Sequence, residues 1–277
     1  MRPPLFATLS AAVMLARPLA VEAQSVGKML SDDFGNAGKD IVAIWTSPFH
    51  ASSRDWMLAG ASAGVFGLSM LADESVSDWA LKSANGDFFD ALSPVRRGGK
   101  LFAGKYVVPP LAATYIAGVA FKNQALRDLA MGCVASWGSQ AAIRRGLYAL
   151  VGRARPESLP DNNQQWRVPS GGAWEMHSFP AGHFANALSC ATFANERFRL
   201  GPAGIAVYAV AGAVGVGRLA DGAHWTSDTV IGGVLGYAVG REIARRSLRR
   251  KNEPNHAVSF QLSPDLAGLA ARVTWTF

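Results

Sequence analysis

The sequence predicts an all-α fold: a bundle of about six core helices, candidates to span a membrane, with a short β-hairpin at the C-terminus. Three observations predict it. Uncharged runs of helical character recur at 56–72, 106–121, 129–143, 184–195, 201–217 and 229–240. The composition is 49% hydrophobic and only 17% charged. Its apolar part is mainly Ala, Gly, Val and Leu, the mix that lets helix backbones approach closely. The end of the chain, by contrast, alternates apolar and polar residues with a period of two.

Taken in order, residues 1–23 read as an export signal. Arg2 precedes an apolar run from Leu5 to Ala16, and Val21-Glu22-Ala23 offers a small-x-small cleavage site. The alternative is an uncleaved anchor. Residues 24–55 are mixed and polar, and predict a short amphipathic helix and a loop around Ser47-Pro48. Residues 56–251 form the helical domain, in which Pro109-Pro110 kinks or restarts the second run. The segment 157–177 is a loop by its Pro, Gly, Asn and Ser content. Residues 241–251, "REIARRSLRRK", end the last helix on a basic face. In 256–277, Val258, Phe260 and Leu262 form one alternating set and Val273, Trp275 and Phe277 a second, on either side of Ser263-Pro264-Asp265. A lone hairpin is marginal in water, so it is expected to dock on the bundle or on a partner. One hairpin cannot close a membrane barrel. Cys133 and Cys190 both sit in apolar helical stretches. Buried free thiols are the first expectation and a single disulfide the second. Neither has a metal-site spacing.

The net charge of +7 and pI near 9.7 favour anionic partners, meaning phosphate esters or anionic lipid surfaces. Nucleic acid is disfavoured: no binding motif is present, and the basic residues are dispersed apart from the 241–251 run.

Three short segments carry chemistry. In "GRLADGAHWTSD", 217–228, His224 and Asp228 are four residues apart and share a face if the segment is helical. Asp228 could then accept a hydrogen bond from one ring nitrogen and leave the other as a nucleophile. Arg218 would bind an anion. In "SFPAGH", 178–183, a Pro-Ala-Gly turn delivers His183 to a helix start, where free N–H groups favour an anion. Gly182 lets a ligand approach the backbone, and His183 could protonate a leaving alkoxide. In "GRARP", 152–156, Arg153 and Arg155 leave a helix end towards the polar loop. Each segment alone also has a bland reading: an exposed i,i+4 pair, a capped helix start, and cations complementing a helix dipole.

Together the segments resemble the signature of the type 2 phosphatidic acid phosphatase and vanadium haloperoxidase superfamily: Lys-x6-Arg-Pro, Pro-Ser-Gly-His and Ser-Arg-x5-His-x3-Asp. The matching residues are Arg155-Pro156, Pro180-Ala181-Gly182-His183 and Arg218-x5-His224-x3-Asp228. "HWTSD" followed by a glycine-rich helix (Gly232, Gly233, Gly236) is also similar to the family, and the resemblance covers about residues 56–245. Three positions depart from it: Tyr148 stands where the motif Lys belongs, Ala181 and Gly217 where the two Ser belong. Arg144 and Arg145, roughly a turn before Tyr148, could reach the same phosphate. Each lost charge-assisted bond would weaken binding by about 1.5–3 kcal/mol.

The resemblance implies a metal-independent histidine phosphatase without cofactor. His224, oriented by Asp228, attacks phosphorus; His183 protonates the leaving alcohol and then activates water; Arg155, Arg218 and the Gly182 N–H hold the phosphoryl oxygens. Arg144, Arg145, Tyr148 and Arg153 are auxiliary candidates. Phosphorylated lipids are the leading substrates: phosphatidic acid, phosphatidylglycerophosphate, isoprenyl pyrophosphate or a lipid A phosphate. A soluble exported acid phosphatase acting on small esters is the alternative. A vanadium haloperoxidase and a non-catalytic phospholipid-binding envelope protein rank below it. The site is expected at the inner membrane facing the periplasm, or in the periplasm. The runs, of about 12 to 17 uncharged residues, fall short of the roughly 20 of a full span. "KNQALRD", "NERFRLG" and "REIARRSLRRK" would all be cytoplasmic by their charge, leaving the motifs outside. A cleaved signal conflicts with three spans before Arg155. The sequence leaves topology and oligomeric state open.

Overall fold

The computed structural model describes residues 6–99, 106–159, 161–170, 172–252, 258–265 and 268–275, with side chains in 25–97, 106–159, 161–170 and 172–252. The six expected runs all become helices: α2 (Ser53–Ser69), α6 (Val108–Ala120), α7 (Gln124–Leu150), α8 (Gly182–Phe198), α9 (Pro202–Ala220) and α10 (Thr226–Asn252). Local chemistry sets several of their starts. Ser52 and Asp55 form a reciprocal capping box on α2. Asn123 caps α7 through the Leu126 N–H. Pro109-Pro110 falls in the first turn of α6, where no N–H is needed, and so begins a helix without kinking one.

Two expectations about the flanks change. In 24–55 the chain does break at Ser47-Pro48, where a 3-10 turn (Ser47–His50) follows, but the helix before it is not short: α1 is one helix, Phe6–Thr46. Asp33, Ala37, Asp40, Ile41 and Ile44 line its inner face at helical spacing. The expected export segment, 1–23, lies outside the described side chains. The interval between α2 and α6 also carries three short helices, α3 (Asp73–Ser83), α4 (Asp87–Ala91) and α5 (Ser93–Gly99).

At the C-terminus, strands β3 (Val258–Asp265) and β4 (Gly268–Trp275) pair antiparallel, with Val258 opposite Trp275 and Phe260 opposite Val273. The hairpin is therefore present, but Ser263-Pro264-Asp265 continues β3 instead of forming its turn. Phe277 lies outside the described residues.

Helices α7 to α10 alternate in direction, and their close contacts give the register. Arg144 of α7 meets Gly182 of α8, whereas Asp128 meets Arg197, so these two are antiparallel. Helix α10 runs parallel to α8. A Cβ on Gly232, Gly236 or Gly240 would fall 2.7, 2.8 or 2.2 Å from the carbonyl oxygens of Ala181, Ala185 and Ser189. Only glycine permits that backbone approach, and it fixes α10 against α8 along three turns. The main core gathers Ala37 and Ile44 of α1, Tyr115 of α6, Ala130, Met131 and Ala135 of α7, Phe193 of α8, and Val239 and Ile243 of α10. Within it Cys133 and Cys190 are joined as a disulfide between α7 and α8, which corrects the expectation of free thiols. The alternation brings the end of α7, the start of α8, the end of α9 and the start of α10 to one end of the bundle, and every motif residue lies there.

Candidate active site

The chain reaches the site after α7, where β1 (Gly152–Arg153) pairs with β2 (Trp166–Arg167) and ties down the polar loop. Arg153 is fully buried. Its Nη2 donates to Asp73 at 2.6 Å, and its Nη1 to Asp228 at 2.6 Å and to the Ser227 hydroxyl at 2.7 Å. Its Nε and Nη2 donate to the Asn163 carbonyl. The rings of Trp166, Trp225 and Phe66 surround its guanidinium at 4.9, 5.5 and 5.9 Å. Arg153 is therefore no phosphate ligand; it neutralises two buried carboxylates. Asp73, at the start of α3, also accepts from the Ser227 N–H at 2.8 Å and so caps α10 from a distant helix.

His224 is 3% exposed, in the turn Gly222 allows by its positive φ of 62°. Its Nδ1 lies 2.6 Å from the Ser178 carbonyl. A carbonyl can only accept, so Nδ1 carries the proton and Nε2 keeps its lone pair. The anticipated Asp228–His224 hydrogen bond is replaced by this contact. Asp228 is fully buried and engaged elsewhere: Oδ1 takes Arg153, and Oδ2 takes the Ser178 hydroxyl at 2.5 Å and the Trp225 N–H at 3.0 Å. Burial pushes its carboxyl above the ordinary value, and these donors act against that.

Around His224 stand the anion-binding candidates. His183 is the second residue of α8. Burial, then the charges of Arg218, Arg144 and Arg155, lower its pKa to about 3. Burial, then Arg218, also holds His224 well below its ordinary value. Arg218 and Arg155 act on both histidines and Arg144 on His183, so both imidazoles are held towards the neutral form. Arg155 stacks on Trp174, its carbon Cζ 3.8 Å from the ring centre, and reaches Glu157 at 3.3 Å. Arg218 pairs with Asp221 at 2.6 Å. The Nε atoms of both arginines are buried without a hydrogen-bond partner. Gly182 opens α8, and a Cβ there would fall 2.5 Å from Nη1 of Arg144. Arg145, one residue on, is exposed.

The three departures from the signature each have a local reason. Tyr148 donates to the Pro180 carbonyl at 3.3 Å and stacks on His177 at 4.5 Å, so it props the turn before His183. Gly217 admits Arg96: a Cβ there would fall 2.6 Å from the Arg96 Cγ, and Arg96 shares Asp221 with Arg218. Ala181 is fully buried beneath Gly232, where a Cβ on the glycine would already be 3.2 Å from the Ala181 Cβ.

The model of the PAP2 superfamily matches residues 129–251, from α7 to the end of α10. That segment is similar to the PAP2 superfamily. A lipid A 1-phosphatase from Porphyromonas gingivalis is 31% identical over 100 residues, or 35% of this chain. The match spans 19% of that relative's length. Among solved structures, a transmembrane PAP2 type phosphatidylglycerolphosphate phosphatase from Bacillus subtilis is 19% identical, with a TM-score of 0.47 over 70% of this chain and 96% of that one. LpxE from Aquifex aeolicus is 16% identical, with a TM-score of 0.43 over 62% and 94%.

Sequence reasoning missed Asp73, Asn163, Ser178 and Trp174. Ser178 stood inside a quoted motif and could have been found there. Asp73 lies 80 residues from Arg153, and no local pattern announces the pairing.

Proposed function

We propose that the chain is a phosphatase of lipid phosphates that works through a phosphohistidine. The observation that carries this reading is the cluster itself: His224 with its Nδ1 proton fixed by a carbonyl, beside His183 and three arginines. Nε2 of His224 attacks phosphorus, the bond to the leaving oxygen breaks, and a P–N bond forms. His183 gives its proton to the leaving alkoxide. It then takes a proton from water, which attacks phosphorus and releases phosphate and His224. Arg155, Arg218, Arg144 and the N-terminus of α8 hold the phosphoryl oxygens as charge develops. Arg144 takes the place of the missing motif Lys.

His183 needs a proton for this role, and the free site withholds it. A bound phosphate dianion offsets the three arginines and raises the His183 pKa, so substrate binding itself loads the acid.

A lipid substrate is supported by the outer surface. Ser53–Ser83 and Pro202–Ala220 are long and apolar enough to cross a membrane by length and composition. Trp56, Met57, Leu58, Leu68 and Ile205 are all more than half exposed, as lipid-facing residues are. Opposite the site, the basic end of α10 and the Lys122 and Arg199 turns fit a cytoplasmic face, with the site outside. The Cys133–Cys190 disulfide fits an oxidising compartment. The test is phosphate release by purified protein in detergent without added metal, comparing phosphatidic acid with p-nitrophenyl phosphate, and wild type with His224→Ala. Lipid-selective release lost in the variant supports the reading. Equal release from both esters moves the answer to a general acid phosphatase, and no release from either overturns it.

A further inference from the structure

We infer that Ser178 is a positioning residue, and that Asp228 orients His224 through it and not by direct contact. The inference deepens the proposed phosphatase reading and rests on it for its kinetic part.

Ser178 is fully buried and uses all of its polar groups. Its N–H donates to the Arg153 carbonyl at 3.1 Å. Its hydroxyl donates to Oδ2 of Asp228 at 2.5 Å, and its carbonyl accepts from Nδ1 of His224 at 2.6 Å. Asp228 also accepts nothing from His224, because Arg153, Ser178 and the Trp225 N–H take its two oxygens. Three residues further on, the Ala181 N–H donates to the Asp228 carbonyl at 3.1 Å. Asp228 thus clamps the segment 178–181 at both ends, by side chain and by backbone.

That segment carries both histidines' positions. Its first residue holds the ring of His224, and its last precedes Gly182 and His183 at the start of α8. The Asp73–Arg153–Asp228 ion pairs fix the carboxylate from the other side, at 2.6 Å each. Orientation is passed through a hydroxyl and its own carbonyl. The aspartate never needs to reach the ring.

Two readouts test this. First, 15N-histidine NMR of the full chain in detergent follows the Nδ1–H of His224, assigned by its loss in His224→Ala. Ser178→Ala and Asp228→Asn should both abolish or shift that signal while thermal midpoints show folded protein. This readout does not require turnover, so it separates the inference from the phosphatase reading. Second, Ser178→Ala should lower kcat about 10–100-fold with KM within about threefold, as expected for a misplaced nucleophile. Ser178→Ala/Asp228→Asn should lose no more kcat than Asp228→Asn alone. The inference is overturned if Ser178→Ala leaves the Nδ1–H signal unchanged while Asp228→Asn removes it. Losses in kcat that multiply in the double variant also overturn it. Both outcomes would place Asp228 directly on His224.

Discussion

At the end of the bundle away from the motifs, Asp33 pairs with Arg127, Asp128 with Arg197, and Asp40 with both Arg246 and Arg250. At the motif end, Arg155, Arg218 and Arg144 stand around two neutral histidines, with Glu157, Asp221 and no further described carboxylate hydrogen-bonded to them. The far end even has an open pocket of about 310 Å³, lined by Asp33, Asp40, Asp128, Arg197 and Arg250 among others. Its charges face one another, tying α1 to α7 and α10, and α7 to α8. Near the histidines the arginine Nε atoms are buried and unpartnered. Residue type does not distinguish the two ends; pairing does. Arginines that are buried, convergent and incompletely answered mark a place for an anion.

The sharpest way to break this comparison is to strike both ends and read kcat. His224→Ala should lower kcat by at least about 10^4-fold, the scale of removing a catalytic nucleophile. Asp40→Asn should leave kcat within about twofold, because the far-end network touches no reacting atom. Phosphate release under saturating substrate checks both. A large fall in Asp40→Asn with an unchanged melting midpoint would mean that the two ends are not independent.

Stability should sort the same residues differently. Arg153→Met strands Asp73 and Asp228, both fully buried, and should destabilise by about 3–5 kcal/mol. Asp40→Asn strands Arg246 and Arg250, whose side chains are about 30% exposed and can turn to water. Its effect should be smaller, about 1–3 kcal/mol. Thermal unfolding in detergent with each variant ranks the two.

How much of this was legible in the sequence follows the range of each interaction. The six core helices were, since their signal is local: long uncharged runs with starts set by neighbours such as Asn123. The break at Ser47-Pro48 was legible, but the length of α1 was not, because the helix buries a narrow stripe containing Asp33 and Asp40, carboxylates whose arginines come from α7 and α10. In isolation that stripe is simply polar. The site showed the same division. His183, His224, Arg155 and Arg218 are carried by compact motifs. The neutralising role of Arg153 depends on Asp73, and the orientation of His224 depends on a Ser178 backbone carbonyl that no side-chain pattern encodes. Two buried cysteines in helices look alike in sequence whether paired or free, so the Cys133–Cys190 disulfide has no local signal.

The adjacent pair Arg144 and Arg145 sharpens the comparison within a single helix turn. Arg144 lies across Gly182 and lowers the His183 pKa, while Arg145 is exposed. Arg144→Ala should raise KM about 10-fold or more, the equivalent of one lost charge-assisted hydrogen bond. Arg145→Ala should leave KM within about twofold. Equal effects would show that general basicity near α7, and not a placed guanidinium, attracts the substrate.

The last test reads stability, not turnover, and concerns the two histidines. An unfolded histidine titrates near 6.5, whereas His183 in the fold does so at about 3 and His224 also well below its ordinary value. Below pH 6.5 the unfolded chain therefore binds protons that the folded chain refuses. Stability should decline as pH falls from 6.5 towards 5, with a limiting slope of about 1.4 kcal/mol per pH unit for each histidine. Inorganic phosphate should shrink that slope, because an anion among Arg155, Arg218 and Arg144 lets His183 keep its proton in the fold. Unfolding midpoints at pH 7.5, 6.5 and 5.5, with and without phosphate, give the answer. A slope that phosphate leaves unchanged would mean that the anion binds away from His183, and the arginines at this end would then be as structurally occupied as those at the other.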